Sequence, residues 1–446
     1  MKPSAQTQLV HIEKPIYGGS FLARESGKVI FVPFALPGEE ARVRIVEDKS
    51  KRGYVTAEVS EIVAAAPERV PPACPYFGPC GGCHYQHAEY AAQLGYKQSI
   101  LRETFERGGV AAPDQIGVLA TEPWGYRNRI RLAFDAAGRP GYRAHGSHNI
   151  VPIEACPIAA PVLVKAALAA AEILRSTQPR PRVSEIVLFS NAEESELLVS
   201  VILAAPAKLR FDAFAAALKE QIPALTGAEL AVESRTDNLT GSRRGGRTAA
   251  RESSPPHVLA RWGAESLHYN AAGFAYRVDL GAFFQVNRWL VDALVERVVA
   301  GQSGALAWDL FAGVGLFARQ LAARFARVIA VESAPLATGA LAANLTGTAS
   351  EAVRATTLDF LRRKRSGPRP ELIVVDPPRA GLGAEVTTEL KKVAAPAMVY
   401  VSCDPTTLVR DLRELVASGY AIESVALADL FPQTYHIETI VHLRRR

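Results

Sequence analysis

Asp309-Leu310-Phe311-Ala312-Gly313-Val314-Gly315 is the stretch that decides the fold of the C-terminal part of this chain. The apolar residues that lead into it indicate a buried strand, and its glycines allow a tight turn with close ligand approach. Helical stretches alternate with strands from here onward, which indicates an α/β fold with a parallel sheet and helices on both faces. The predicted strands are 305–310, 327–331, 353–357, 371–375 and 397–401.

Acidic residues follow these predicted strands at the sheet edge where such folds bind ligands. Glu332 ends the second strand, where a carboxylate can take ribose hydroxyls, and Asp359 and Asp376 follow the third and fourth. The full dinucleotide fingerprint is absent because Ala318 stands at its last position, and no Walker lysine is present. A nucleoside-bearing cofactor without a cradled pyrophosphate is therefore predicted, and S-adenosyl-L-methionine fits that description.

Ser402-Cys403-Asp404-Pro405 forms a strand-to-helix corner after the fifth predicted strand. Asp404 is a good N-cap and Pro405 a good first helical residue, so Cys403 should lie against a helix N-terminus. Partial positive charge there favours thiolate over thiol, which predicts a nucleophile. The alternative is a small buried apolar filler, as most lone cysteines are.

Two further motifs bear on the chemistry. Glu438 lies between Ile437 and Ile440, where desolvation could raise its pKa into the range of a general base. The alternative is a carboxylate on the exposed face of a terminal strand. Arg379 follows Asp376-Pro377-Pro378. Where an aromatic residue follows this motif, it commonly serves methylation of an amino group. The arginine here therefore indicates that the methyl acceptor is not an amino group.

The five cysteines divide into a group of four and Cys403. Cys74, Cys80 and Cys83 lie in a turn rich in glycine and proline, which lets their sulfurs converge, and Cys156 can supply a fourth thiolate. Four thiolates suit a [4Fe-4S] cluster or a tetrahedral zinc, and the spacing decides for neither. A chance group of reduced structural thiols is the remaining alternative.

Length and patterning predict a multidomain chain with three parts. With 446 residues, the chain is too long for one ordinary core. Short alternating strands predict a small β-barrel at 1–66, a mixed pattern predicts an α+β domain with the metal-binding cysteines at 67–282, and the α/β domain occupies 283–446. Residues 234–256 form a predicted flexible insertion that is rich in arginine.

Charge favours a nucleic-acid partner. The net charge of +6 is mild, but basic residues gather on the barrel segment at Arg42, Arg44, Lys49, Lys51 and Arg52. Period-two alternation places Arg127, Arg129 and Arg131 on one strand face suited to a phosphate backbone. In both places the alternative is a solvated basic surface. No apolar leader or membrane span is evident, so we expect a cytoplasmic protein with no membrane contact.

Together these motifs resemble the RNA uracil-5-methyltransferases, and most closely their ribosomal RNA branch. The resemblance covers nearly the whole chain and includes Phe283-Phe284-Gln285-Val286-Asn287 and His436-Ile437-Glu438-Thr439. It implies a TRAM (OB-like) barrel, a central domain with a [4Fe-4S] cluster and a Rossmann-like methyltransferase domain. The implied partner is RNA, ribosomal RNA before tRNA, and the implied state is a monomer.

The resemblance also implies roles for individual residues. Cys403 would be the nucleophile and Glu438 the base. Contacts to S-adenosylmethionine would come from Gln285, Phe311, Glu332, Asp359 and Asp376. The [4Fe-4S] ligands would be Cys74, Cys80, Cys83 and Cys156. Leu316 departs from the family, whose members often carry Asn there. Competing hypotheses are methylation of a tRNA uridine or of a DNA cytosine, and a non-catalytic iron-sulfur protein that binds RNA.

Overall fold

The N-terminal part is a closed barrel. The computed structural model describes residues 7–234, 256–364 and 367–446, so the predicted insertion at 234–256 lies outside the described residues except at its two ends. Five strands close the barrel in the order β1-β2-β3-β5-β4, as the sequence predicts. Their bounds are β1 Thr7–Pro15, β2 Ser20–Glu25, β3 Lys28–Pro33, β4 Glu40–Lys49 and β5 Tyr54–Ala64.

Ion pairs neutralise part of the basic surface predicted on this barrel. Arg42 pairs with Glu61 and Arg44 with Glu58 across β4 and β5, and Lys49 pairs with Glu47. Lys51 and Arg52 lie in the short 3-10 helix Ser50–Arg52 between those strands and are exposed. Neither has an ion pair within the described part of the chain. Of the five basic residues predicted on this surface, these two are therefore available to contact an external anion.

The middle of the chain builds a seven-stranded sheet in the order β13-β12-β11-β10-β7-β8-β9. Two helices, α2 Pro161–Ser176 and α3 Phe211–Gln221, cover it with small apolar residues such as Ala166, Ala167 and Ala170. The strands are β7 Arg129–Phe134, β8 Pro140–Arg143, β9 Ile150–Pro152, β10 Val183–Ser190, β11 Leu197–Leu203, β12 Leu225–Val232 and β13 His257–Gly263.

The C-terminal sheet has eight strands in the order β18-β17-β16-β19-β20-β22-β21-β6, preceded by the hairpin of β14 Ser266–Ala271 and β15 Phe274–Asp279. Its strands are β6 Ile116–Leu119, β16 Gly304–Leu310, β17 Phe325–Glu332, β18 Glu351–Arg354, β19 Leu372–Val375, β20 Ala397–Ser402, β21 Tyr420–Ala428 and β22 Glu438–Arg445. The helices in and around it are α1 Tyr90–Arg107, α4 Val291–Val299, α5 Leu316–Leu321, α6 Pro335–Asn344, α7 Thr357–Arg363, α8 Gly383–Val393 and α9 Pro405–Ala417.

This sheet is mixed rather than parallel throughout, which corrects the sequence-based expectation. Strands β16 to β20 run parallel, but β22 is antiparallel to both β20 and β21. The reversal follows because a short loop, not a crossover helix, connects β21 to β22. Strand β6 joins the far edge, so a segment within the predicted central domain belongs to this sheet. The boundaries 1–66, 67–282 and 283–446 stay predictions.

The arginines predicted to share one exposed face at residues 127–131 do not form a continuous basic surface. The guanidinium of Arg129 lies 4.0 Å from the ring centre of Phe189 and donates a hydrogen bond to the Ala282 carbonyl. Arg131 is exposed and pairs with Glu185. The face is divided because Phe189 and Arg129 are direct neighbours in the register of β10 and β7. None of the described helices is both long and apolar enough to cross a bilayer.

Candidate active site

Strand pairing brings Cys403 and Glu438 to the same end of neighbouring strands. Ser402, the last residue of β20, pairs with Thr439, the second residue of β22. Because the strands are antiparallel, the next position in this register places Cys403 opposite Glu438. Glu438 is 6% exposed and Cys403 is partly exposed. A thiol open to a ligand therefore lies beside a buried carboxyl.

The corner after Cys403 is capped as the sequence predicts. One carboxylate oxygen of Asp404 accepts hydrogen bonds of 3.0 Å from the backbone N–H groups of Thr406 and Thr407, and α9 begins at Pro405. The other oxygen accepts a 3.3 Å hydrogen bond from the hydroxyl of Tyr17 in the barrel. The sequence contains no signal for this contact, since the two residues are far apart in the chain.

The pKa of the Cys403 thiol is raised to about 12, against the expectation that the helix N-terminus would favour thiolate. Burial is the largest cause, and the charges of Glu438 and Asp376 add to it, while Arg379 acts in the opposite direction. Burial, with two nearby carboxyls, outweighs the partial charge of a helix end. Cys403 is therefore a thiol at rest.

Asp376 and Arg379 follow β19 and lie near Cys403 and Glu438. Burial raises the pKa of Asp376 to about 7. Burial and the charge of Asp376 raise the pKa of Glu438 well above its ordinary value, and Arg379 lowers it. The guanidinium of Arg379 also lies 3.1 Å from Nδ1 of His436, which can accept this bond because burial lowers the pKa of His436 to about 3. The site thus places two carboxyls with raised pKa values beside one cation.

The glycine loop after β16 has the strained backbone of a ligand-binding turn. Phe311 has a positive φ of 69°, which is costly for a residue with a side chain. Gly313 has a φ of 55°, and a Cβ there would meet nothing within 4 Å, so space lies open beside the loop. The backbone N–H of Gly313 donates a 2.8 Å hydrogen bond to the Glu332 carboxylate, which also accepts from the backbone N–H groups of Ser333 and Ala334. The loop and Glu332 therefore hold each other at the sheet edge.

Asp309, at the end of β16, is a candidate site residue that sequence reasoning did not select. It is fully buried, and neither carboxylate oxygen has a hydrogen bond of normal geometry. Burial raises its pKa to about 8 despite the nearby backbone N–H of Ala318, and the charges of Asp376 and Glu332 add to the rise. Its place as the first residue of the glycine motif was the available signal.

The other two predicted cofactor contacts differ in their settings. Gln285 is 8% exposed, and its backbone carbonyl accepts a 3.0 Å hydrogen bond from the side-chain amide of Asn128. Asp359 is exposed in the first turn of α7, and its carboxylate accepts a 2.7 Å hydrogen bond from the hydroxyl of Thr356, the N-cap. Asp359 is exposed and is not among the carboxylates that shift the pKa of Asp309, whereas Glu332 and Asp376 are, so a cofactor role for Asp359 has less structural support.

The four remaining cysteines, Cys74, Cys80, Cys83 and Cys156, line one pocket. Arg127 and Tyr142 line it too; the Sγ of Cys156 lies 3.8 Å from the Tyr142 hydroxyl, and the Arg127 Nε is buried without a partner. Among the described residues, no three His, Cys, Asp or Glu side chains are grouped to hold a metal ion. The cysteines thus share a pocket without converging on one point, and the iron-sulfur cluster stays a prediction.

Comparisons with known proteins agree with this arrangement. The profile described as "tRNA (Uracil-5-)-methyltransferase" matches residues 368–446, and that of the TRAM domain matches residues 4–60. A Chromohalobacter salexigens protein, described as "23S rRNA (uracil(1939)-C(5))-methyltransferase RlmD", is 34% identical over 97% of this chain and 88% of its own length. The chain belongs to the RNA uracil-5-methyltransferase family.

Two other relatives show the same extent of similarity. A Halomonas elongata protein with the same description is 34% identical over 96% of this chain and 87% of its own length. An "Uncharacterized RNA methyltransferase" of Thermotoga maritima is 32% identical over 97% of this chain and 98% of its own. The predicted family and TRAM domain are thus confirmed, and this uracil-5-methyltransferase is an enzyme of the class that uses S-adenosylmethionine.

A solved structure shares the fold of this uracil-5-methyltransferase. Pyrococcus abyssi "tRNA (uracil-54, C5)-methyltransferase in complex with S-adenosyl-L-homocysteine" superposes with a TM-score of 0.76 over 98% of this chain and 100% of its own. At 24% identity this likeness shows the fold alone. The roles of Cys403, Glu438 and the cofactor residues stay predictions.

Proposed function

We propose that this uracil-5-methyltransferase transfers a methyl group from S-adenosylmethionine to carbon 5 of a uridine in 23S ribosomal RNA through a covalent adduct with Cys403. The observation that carries the proposal is the register of β20 and β22, which sets Cys403 and Glu438 at one end of the sheet. Asp376 and Arg379 lie close enough to shift the pKa of both residues. Uracil-5 chemistry needs a nucleophile and a base at one ring.

Each residue type suits a defined step. Carbon 5 of uracil is a poor nucleophile. Once the Cys403 thiol has released its proton to water, addition of the thiolate at carbon 6 gives an enolate whose carbon 5 can attack an electrophilic methyl. Glu438 then takes the proton from carbon 5, the carbon 5–carbon 6 double bond re-forms, and the bond to sulfur breaks. A positioned base of this kind is worth roughly a hundred- to ten-thousand-fold in rate.

The residues at the sheet edge fit the methyl donor, which supplies its sulfonium methyl group when bound. Asp309, Glu332 and Asp376 are acidic and gather there, and Asp309 has two buried oxygens without normal hydrogen bonds. A bound cation would favour their ionised forms and that of Glu438, and would lower the pKa of Cys403. Gln285 and Phe311 complete the proposed contact set.

The mechanism is tested with RNA that carries 5-fluorouracil, because fluorine at carbon 5 cannot be removed as a proton and traps the adduct. Wild-type protein should form a covalent complex on a denaturing gel in the presence of labelled cofactor, and Cys403→Ala should form none. Glu438→Gln should accumulate adduct on ordinary RNA with little product. An adduct formed by Cys403→Ala, or normal turnover by Glu438→Gln, would remove the corresponding role.

The choice of ribosomal RNA over tRNA rests on the descriptions of the two relatives at 34% identity. The tRNA alternative has support from the description of the profile that matches residues 368–446 and from a shared fold. Mapping 5-methyluridine by mass spectrometry in a deletion strain separates them: loss from 23S RNA supports the proposal, and loss confined to tRNA contradicts it. Membership of an enzyme family speaks against the non-catalytic hypothesis.

We also propose that Cys74, Cys80, Cys83 and Cys156 hold a [4Fe-4S] cluster. All four cysteines line one pocket, and four thiolates are the usual ligand set of such a cluster. The unpartnered Arg127 guanidinium nitrogen suits an anionic group there. Anaerobically purified protein should be brown with iron and sulfide, and Cys83→Ser should lose both. Stoichiometric zinc would contradict the proposal.

A further inference from the structure

The loop at 429–437 connects β21 to β22 and leads directly into the proposed base. Glu438 is the first residue of β22, so the path of this loop decides where Glu438 begins the strand. Cys403 depends on β20 and α9 instead. The loop is joined directly to the base, whereas it reaches Cys403 only through intermediate residues, with Tyr435 packing on Tyr17 and His436 contacting Arg379.

Gln433, in the middle of this loop, has a strained backbone that neighbours hold in place. Its φ is 68°, in the left-handed region, and the residue is 2% exposed. Its N–H donates a 3.0 Å hydrogen bond to the Gln93 side chain, and its carbonyl accepts from the N–H groups of His84 and Tyr85 at 2.8 and 3.0 Å. The Gln93 amide also donates to the Gln433 side chain at 2.9 Å. Such a conformation persists only where surrounding contacts determine it.

Asp429, at the start of the loop, forms a buried ion pair. The Lys97 ammonium lies 2.6 Å from its carboxylate, both side chains are fully buried, and Lys97 also donates to the Phe431 carbonyl at 3.0 Å. The hydroxyl of Tyr90 donates to the second Asp429 oxygen at 2.9 Å. Since a buried charge without its partner is costly, the pair strongly favours one arrangement of the loop start.

The side chains that make these contacts, Tyr90, Gln93 and Lys97, lie on α1, which is far from the loop in sequence, whereas the N–H groups of His84 and Tyr85 belong to the segment before this helix. Gln93 and Lys97 are one helical turn apart, so they face the same side of α1. We propose that Gln93 and Lys97 are positioning residues for proton abstraction: through Gln433 and Asp429 they fix the loop that places the Glu438 carboxylate at carbon 5 of the target. The inference rests on the proposed role of Glu438.

The inference predicts an effect on one step. Addition of the Cys403 sulfur to carbon 6 and methylation at carbon 5 do not use the Glu438 carboxylate as a base. In the following step the carbon 5 proton passes to the Glu438 carboxylate, its electron pair forms the carbon 5–carbon 6 double bond, and the carbon 6–sulfur bond breaks to release thiolate. Loosening the loop should therefore slow release and leave methylated adduct behind.

The test uses Gln93→Met, which keeps the length of the side chain but removes its hydrogen bonds. In single turnover on ordinary RNA, we expect adduct to form within about twofold of the wild-type rate, and 5-methyluridine release to slow by about tenfold or more. The matched control is Gln98→Met on the same helix, whose side chain donates to the Ile116 carbonyl and not to the loop. It should release product normally.

Two further variants keep the inference testable. Glycine adopts a positive φ without strain, so Gln93→Met combined with Gln433→Gly should recover much of the release rate. If Gln93→Met does not fold, Gln433→Ala removes the side-chain hydrogen bond to Gln93 without altering α1 and keeps a residue for which positive φ is costly, so it should also accumulate adduct. Equal slowing of adduct formation and release by the folded variants, or no slowing, would overturn the inference.

The outcome can be told apart from failure of the proposed function. If Glu438 is the base and α1 does not position it, Glu438→Gln traps adduct while Gln93→Met releases product at the wild-type rate. If Glu438 is not the base, Glu438→Gln itself turns over normally.

Discussion

The hydroxyl of Tyr17 in the barrel donates a 3.3 Å hydrogen bond to Asp404, the residue that follows Cys403. The same tyrosine ring packs edge-on against Tyr435, with ring centres 5.7 Å apart. Asp404 caps α9 with its other oxygen, so the barrel supports the corner that holds Cys403. The TRAM domain is thus part of the candidate active site and not only a possible RNA-binding surface.

Replacing Tyr17 with Phe should slow adduct formation on 5-fluorouracil RNA by about fivefold, the equivalent of one hydrogen bond of about 1 kcal/mol. RNA affinity should change little, because the bond is internal. Tyr54→Phe is the control, since Tyr54 packs against Phe31 within the barrel. A loss of affinity with an unchanged maximal rate would contradict a role at the corner.

Replacing Asp376 with Asn should lower the pKa of the Cys403 thiol. Asp376 is ionised at the high pH where this thiol titrates, so removing its charge favours thiolate. Arg379→Gln should shift the pKa upward. The measurement is the pH dependence of Cys403 alkylation by iodoacetamide, followed by mass spectrometry of its peptide. Shifts of the same sign in both variants would contradict this electrostatic description.

In wild-type protein the free energy of unfolding should fall as pH rises, and replacing Asp309 with Asn should make this fall smaller. The folded-state pKa of Asp309 is about 8, above its ordinary value, so the native state keeps a proton that the unfolded state releases. Stability therefore falls as pH rises from about 4 to about 8. We expect the fall in unfolding free energy between pH 5 and 8 to shrink by about 3 to 4 kcal/mol in urea titrations. The exposed Asp212→Asn is the control, and cofactor affinity should drop only in Asp309→Asn.

Replacing Lys51 and Arg52 together with Ala should weaken RNA binding and reduce the slope of log affinity against log salt by about 1.5, as expected for two lost phosphate contacts. The matched control replaces Arg42 and Arg44, whose charges are already paired with Glu61 and Glu58. Binding should be measured at several salt concentrations. An equal effect of both double variants would show that intramolecular pairing does not decide which cations contact RNA.

Much of this fold could be predicted because local patterns agree with the final structure. The barrel alternation, the glycine turn and the cap at Asp404 are short-range features, and each forms as its residues suggest. The predicted strand at 353–357 ends earlier, at Arg354, because Thr356 and Asp359 cap α7. Such boundary shifts arise where two local signals compete.

The charges of the site could not be predicted, because they depend on distant neighbours. The helix end beside Cys403 suggested a thiolate, yet burial with Glu438 and Asp376 raises the thiol pKa. Likewise Arg129 looked exposed by alternation, but Phe189 on β10 covers it. Sequence spacing gives the direction of a side chain, while its surroundings come from other strands.

The position of β22 has a consequence for synthesis of this protein. This strand is the last in chain order among those described, yet it lies inside the sheet between β20 and β21. A nascent chain that has emerged only as far as residue 437 carries Cys403 and the glycine loop, but the facing edges of β20 and β21 have no partner. Unpaired edges invite association with other chains, so the interval before residues 438–445 emerge is when this protein most needs a chaperone.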